Sequence, residues 1–402
     1  MTRYGGGPRG RVTILDATLR EGEQAPGVCF APHVRMAICE LLDEIGVDVI
    51  EAGHPVVNDE IRRSIGMLAN RGFRACIGAH ARALKEDVAA ALECGVGFLG
   101  IFFCVARERL REKGLTPGNA ADRVAEVVSW AKAQCPELIV RFTPEDAVRS
   151  SLENVAAVAA DAVAAGADII SIADTTGFMI PGSSRNLYDW VCRLRTELAR
   201  RGAEPRIAVH CHNDRGLALA NALDAMRAGA SIIDSSVLGL GERAGIVDLA
   251  SLLAVLSQDF PGSGSWRLDK LAELYRLVSR YSGVEVPVHF PVMGRNAFSH
   301  CAGVHSQAAL RDPRHYQSLD PRLFGLRPEL VLDHMTGRAA LQHALERIGA
   351  GGMDGELLSL VLGRVKETGQ KGRVVTLEEL RWIIDYEKQS PAGMPAPLTR
   401  TA

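Results

Sequence analysis

Residues 207–236 read IAVHCHNDRGLALANALDAMRAGASIIDSS. A short β-branched run, IAVHC (207–211), ends in polar residues. An Ala/Leu-rich stretch with apolar residues at helical spacing follows and closes on Gly229, and a second run, SIIDSS (231–236), starts directly after it. Strand, helix and strand in ~30 residues make one βαβ unit.

Working outward, the same unit repeats from Arg11 to about Ser236. The predicted strands are VTIL (12–15), VDVIEA (47–52), RACIGA (74–79), FLGIFF (98–103), LIVRF (138–142), DIISIA (168–173), IAVHC and SIIDSS. Between them lie helical segments such as HVRMAICELLDEIG (33–46), EDVAAALECG (86–95) and NVAAVAADAVAAGA (154–167), which end on or just after Gly, the usual helix C-terminal residue. Near-continuous apolar strands covered by helices imply a parallel sheet buried on both faces. A count of eight favours an α/β fold of the closed (β/α)8 TIM-barrel type over a doubly wound sheet. Such a barrel puts its chemistry at the C-terminal ends of the strands.

After about residue 265 the text becomes helical, broken by VPVHFPVMGRNAFSHCAGVHSQ (286–307) and LDPRLFGLRPE (319–329). The expected organisation is a disordered N-terminus (1–10), a catalytic barrel (11–265), a C-terminal helical extension for linkage and dimerisation (266–390) and a flexible tail (391–402). The chain has 402 residues, 47% hydrophobic and 23% charged, with a formal net charge of −2. No block of like charges marks a nucleic-acid stripe, so small molecules are the expected partners. The nine cysteines form no C-x-x-C pair and read as reduced residues. With no signal-peptide pattern and no membrane-length apolar run, a cytoplasmic location is expected.

Polar residues cluster at the predicted strand ends. Strand 1 runs into DATLREGEQ (16–24), bringing Asp16, Arg20, Glu21 and Gln24. Strand 2 leads to Glu51 and His54, strand 3 to His80, strand 5 to Glu145, Asp146 and Arg149, strand 6 to Asp174 and Thr175, and strand 7 to HCHND (210–214). The two-residue spacing of His210 and His212 puts both imidazoles on one face of a strand, where they can share a cation with a carboxylate from another strand. The alternative is a pair of imidazoles that are merely hydrogen-bonded. Two His and one carboxylate leave coordination positions open for substrate oxygens, as a Lewis-acid site requires. Arg20 is suited to stabilising charge on a carbonyl oxygen, its alternative being a rim salt bridge. GLGERAG (239–245) follows strand 8 and permits close backbone approach; it is neither a P-loop nor a dinucleotide fingerprint.

Together DATLREGEQAPG (16–27), HCHNDRGLALANALDAMRAGA (210–230) and GLGERAG resemble the signatures of the DRE-TIM metallolyases, the family of isopropylmalate, citramalate and homocitrate synthases and of hydroxymethylglutaryl-CoA lyase. The resemblance spans nearly the whole chain and is strongest to the homocitrate synthases, which like this chain have Glu at the metal carboxylate position. It implies Glu21, His210 and His212 as ligands of a divalent metal (Zn, Mg or Mn), with Arg20 polarising a keto oxygen. It also implies acetyl-CoA as co-substrate in a Claisen condensation with a 2-oxo acid, completed by thioester hydrolysis. FSHCAGVHSQAALRDPRHYQSLDPRLFG (298–325) is similar to the segment that lends a His and a Tyr to the neighbouring subunit's site. These match His305 and Tyr316, and Glu145 matches the carboxylate that pairs with that His. A homodimer with shared active sites follows; a packed helix-cap role is the alternative for His305.

For the 2-oxo acid, His80, Arg149 and Thr175 match positions implied to grip 2-oxoglutarate, so a second acidic group is expected on the substrate; with the sequence ending near residue 402, no leucine-sensing domain is expected. His54, in EAGHP (51–55), and the FFCVARERL turn (102–110) depart from the homocitrate synthase pattern. They keep open a phosphonopyruvate-type acceptor giving a 2-phosphonomethylmalate or 2-phosphinomethylmalate product in natural-product biosynthesis. A carbon–carbon lyase of the same fold and a non-catalytic metabolite sensor are the rival classes. The lyases carry a Cys in the loop after strand 8, which GLGERAG lacks, and a sensor has no need of proton-transfer groups.

Overall fold

The computed structural model describes residues 10–300, 312, 315–327 and 329–389. The terminal segments expected to be disordered or flexible lie outside them, apart from Gly10, as do Cys301 and His305. Eight parallel strands close into a barrel in chain order: β1 (Thr13–Asp16), β2 (Val49–Glu51), β3 (Cys76–Arg82), β4 (Phe98–Cys104), β5 (Ile139–Glu145), β6 (Ile169–Asp174), β7 (Arg206–Cys211) and β8 (Ile232–Ser235). All eight predicted strands are present, and β8 returns to β1 in the register Thr13↔Ile232 to Asp16↔Ser235. Every residue of β6 is buried, as expected for strands covered by helices outside and packed side chains inside. Leu15, Val49, Phe98, Ile169, Ala208 and Ile232 form one apolar cluster contributed by six strands. Each large apolar side chain so buried contributes about 1.5–3 kcal/mol.

Helices α1 (Pro32–Ile45), α2 (Asp59–Ala69), α3 (Lys85–Glu93), α4 (Arg107–Glu112), α5 (Pro117–Gln134), α6 (Leu152–Ala164), α7 (Leu187–Arg200) and α8 (Ala218–Arg227) alternate with the strands, and α9 (Leu249–Asp259) and α10 (Leu271–Ser282) follow β8. Local signals set their ends. Thr116 and Asn119 form a capping box before α5, and Gly46, at φ 95°, closes α1 in the left-handed conformation that glycine adopts without strain.

The first compact unit extends to Val286, beyond the expected barrel end at residue 265, because α10 packs on the barrel. Tyr275 is the tie: its hydroxyl donates to Asp248 at 2.5 Å and accepts from the Ala250 amide at 2.8 Å, both at the start of α9. The second unit begins at Pro287. Its helices Arg338–Arg347, Gly355–Gly369 and Leu377–Gln389 bury Leu341, Leu345, Val361, Val365, Leu380 and Ile384 among themselves, a separate small core. No helix among the described residues is long and apolar enough to cross a membrane.

Candidate active site

The C-terminal mouth of the barrel encloses a cavity of about 150 Å³. Its walls include Arg20, Gln24, His54, His80, Glu145, Thr175, His210 and His212. Glu21 sits just after β1, and the side chains of Glu21, His210 and His212 bring one ligand atom each to within 4.8 Å of one another, all three residues being buried.

His210 is oriented from behind. Its Nδ1 bonds Asp234 Oδ2 at 3.0 Å, and its Nε2 lies 3.8 Å from Glu21 Oε2. A carboxylate that receives the Nδ1 proton fixes the tautomer and leaves the Nε2 lone pair facing Glu21, the usual arrangement behind a metal-bound imidazole. Burial, then His210, pushes the His212 imidazole down to about 4, so it stays neutral and able to donate a lone pair. Its Nδ1 is buried with no hydrogen-bond partner among the described residues, a state that costs about 1–3 kcal/mol if nothing satisfies it. Burial opposes ionisation of Glu21, yet Arg20, His210 and His212 outweigh it and hold the carboxyl below its ordinary value. GLGERAG wraps this carboxylate: the Glu242 amide donates to Oε1 at 3.1 Å, and a Cβ on Gly241 would come within 3.0 Å of Glu21 Cγ.

A buried charge network lies beneath. Arg20 Nε donates to Glu51 Oε2 at 2.6 Å and its Nη1 to Glu21; Arg141 donates to Glu51 Oε1 at 2.8 Å and to both oxygens of Asp234 at 2.9 Å. Two guanidinium groups thus face three carboxylates, which leaves one negative charge for a bound cation to balance. An ionised carboxylate, two imidazoles and an excess of negative charge fit a divalent metal.

On the opposite wall, His54 Nε2 and His80 Nδ1 are hydrogen-bonded at 3.1 Å, and His80 stacks on Phe102 with ring centroids 4.8 Å apart. Burial, then Arg20, pushes His54 down to about 4 and His80 well below its ordinary value, so the pair is neutral. Gln24 and Thr175 line the cavity, and Thr175 Oγ1 accepts from the Asp146 amide at 3.0 Å. Glu145 also lines it, with Oε1 receiving Arg109 Nη1 at 2.5 Å.

One expected residue lies off the cavity wall. Arg149 is absent from the cavity wall: its Nε and Nη2 each donate at 2.7 Å to the Asp146 carboxylate, three residues away. Tyr316 belongs to the second unit and is 46% exposed, and His305 lies outside the described residues.

Arg141, Thr143, Ser171, Phe102 and Asp234 line the cavity without having been expected there. Strand periodicity carried the signal. Arg141, Thr143 and Glu145 alternate along β5, and Ser171, Ala173 and Thr175 along β6 and just past it, so counting back by two from a strand-end residue finds its inward-facing neighbours.

Comparison with known proteins agrees with this geometry. The HMGL-like family model matches residues 11–278, and the homocitrate synthase post-HMGL domain-like model matches residues 292–373. The chain belongs to the HMGL-like family. It is 40% identical over 356 residues to a homocitrate synthase of Pyrococcus horikoshii, covering 88% of this chain and 95% of that one. It is 38% identical over 390 residues to a homocitrate synthase of Methanopyrus kandleri, covering 97% and 96%. With these relatives, this HMGL-like protein is an enzyme of the acyltransferase type. Among solved structures, an HMG-CoA lyase from Bacillus subtilis superposes with a TM-score of 0.59 at 22% identity, over 73% of this chain and 98% of that one. That likeness bears on the barrel fold alone.

Proposed function

We propose that this enzyme condenses acetyl-CoA with 2-oxoglutarate and releases homocitrate and free CoA, with water consumed in hydrolysis of the thioester. The observation that carries the reading is the buried Glu21, His210 and His212 group with Arg20 beside it, at the cavity in the barrel mouth. A divalent metal held by Glu21, His210 and His212 would supply Lewis-acid polarisation of the 2-oxo acid. Arg20, held by Glu51 and Glu21, presents its guanidinium where negative charge grows on the keto oxygen. Because its position is set before substrate arrives, little reorganisation is needed at the moment of bond formation.

Arg141 and the His54/His80 pair are suited to the distal carboxylate, the first by charge and the second by hydrogen bonding without a competing charge. Arg149 belongs to that grip only if it exchanges Asp146 for substrate. Glu145, paired with His305, would take the proton from the acetyl methyl group so that the carbon can attack the keto carbon. In this scheme the enzyme is a homodimer in which His305 and Tyr316 serve the neighbouring barrel.

The test is thiol release from acetyl-CoA by metal-supplemented enzyme offered 2-oxoglutarate, oxaloacetate, 2-oxoisovalerate, pyruvate and phosphonopyruvate at equal concentration. Preference for 2-oxoglutarate supports the proposal. Preference for another acceptor replaces the substrate, and silence with all of them in metal-containing protein refutes the condensation.

A further inference from the structure

The turn after β4, CVARERLREKG (104–114), departs from the homocitrate synthase pattern and has no part in the scheme above. In the structure it builds α4. Leu110 is 1% exposed and pins this short helix to the barrel, while Arg109 reaches back to β5. Cys104, the last residue of β4, is the ladder partner of Glu145, the last residue of β5. The helix therefore begins three residues past the ladder partner of the carboxylate it contacts, and Arg109 Nη1 meets Glu145 Oε1 at 2.5 Å.

The other charged or titratable groups around this carboxylate do not compete for it. Asp146 is taken in bidentate fashion by Arg149, which repels Arg109. Burial pushes the Cys104 thiol up, so it stays neutral. Glu145 side-chain exposure is 28% and that of Arg109 is 43%, so screening leaves little stability in the pair itself. Its geometry has the greater consequence: a carboxylate on a side chain with three rotatable bonds, facing an open cavity, has one oxygen anchored.

We propose that Arg109 is a positioning residue for proton transfer, holding Oε1 of Glu145 so that Oε2 remains to receive the proton or to bind an imidazole. This rests on the assignment of Glu145 to that step. A base must stand within about 2.6–3.2 Å of the proton's donor atom, and an anchored carboxylate meets that requirement far more often than a freely rotating one.

The experiment compares Arg109→Gln, Arg109→Lys and Glu145→Gln, with Arg111→Gln on the exposed side of α4 as control. Arg109→Gln should lower kcat by about 10–100-fold, part of the ~10²–10⁴ attributable to a positioned base. Its KM for the 2-oxo acid should stay within about twofold, as expected for loss of an interaction that matters only in the transition state. The isotope effect with acetyl-CoA deuterated at the methyl group should rise as proton removal becomes limiting, Arg109→Lys should recover most of the rate, and Arg111→Gln should match wild type. Three results overturn the inference while leaving the condensation standing: kcat for Arg109→Gln within about threefold of wild type, a loss confined to KM for acetyl-CoA, or a Lys variant no better than Gln. Wild-type turnover by Glu145→Gln would instead remove the assigned base and this inference with it.

Discussion

Gly100→Ala tests whether the distal wall of the cavity is as tightly built as it looks. Gly100 lies on β4 in register with His80 on β3 and Arg141 on β5. A Cβ placed there would lie 2.5 Å from His80 Cδ2, 3.0 Å from Glu51 Oε1 and 3.4 Å from Arg141 Nη2. The first distance is a clash. The imidazole has no easy retreat, since it is stacked on Phe102 and bonded to His54. Overpacking of this kind costs about 1–3 kcal/mol, more than the ~0.4–1 kcal/mol that Ala gains over Gly by restricting the unfolded chain. The net is destabilising, and at about 2–4 °C per kcal/mol for a unit of this size the midpoint should fall by roughly 2–8 °C. If His80 shifts, the KM for the 2-oxo acid should rise about tenfold, equivalent to ~1.4 kcal/mol of lost binding, while bound metal stays near one per chain. Calorimetry, metal analysis and thiol-release kinetics read all three. A variant with wild-type midpoint and KM would refute the claim that His80 is wedged in place and belongs to the substrate wall.

Asp234→Asn removes the anionic acceptor behind His210 and should weaken metal affinity by about 10–100-fold, measured by chelator competition; unchanged affinity would contradict the orienting role. Glu21→Gln should abolish turnover and lower metal content, as read by thiol release and elemental analysis. Burial pushes the Asp16 carboxyl from 3.8 up to about 7, so the native state binds a proton across that window that the unfolded state does not. Its stabilising contribution is complete below about pH 4 and is lost as pH rises to 7; the midpoint of Asp16→Asn should therefore gain on wild type between pH 4 and pH 8, and a constant difference would argue against it. Glu145→Gln and His305→Ala chains, each inactive alone, should regain about one quarter of wild-type activity when mixed as randomly assorted dimers; no recovery in verified heterodimers would place both residues in one subunit's site.

The strands and the grouping of His210 with His212 were legible because their signals are local. A β-branched run closed by a helix that stops at Gly identifies each βα unit, and H-x-H reports same-face geometry from strand periodicity alone. For Arg141 and Asp234 periodicity gives the direction of the side chain but not its partner. Each is a charge buried within a strand and owes its burial to a partner 93 residues away in the sequence. Arg149 shows a different limit: a strand-end arginine looks ready for a substrate carboxylate, but Asp146 is nearer in sequence and takes two of its donor nitrogens. Residue 265 was a natural place to end the barrel because β8 had passed. The Tyr275 bonds to Asp248 and Ala250 and the contact of Tyr281 with His33 on α1 tie α10 to the same unit.

The most direct test of metal-dependent condensation is product analysis by mass spectrometry, with 2-oxoglutarate and acetyl-CoA labelled with carbon-13 in the acetyl group. Homocitrate carrying both labelled carbons, formed by metal-loaded enzyme and lost on chelation or in Glu21→Gln, is the predicted result. Unlabelled 2-oxoglutarate recovered unchanged from metal-loaded enzyme, or product formed equally well without metal, would contradict it.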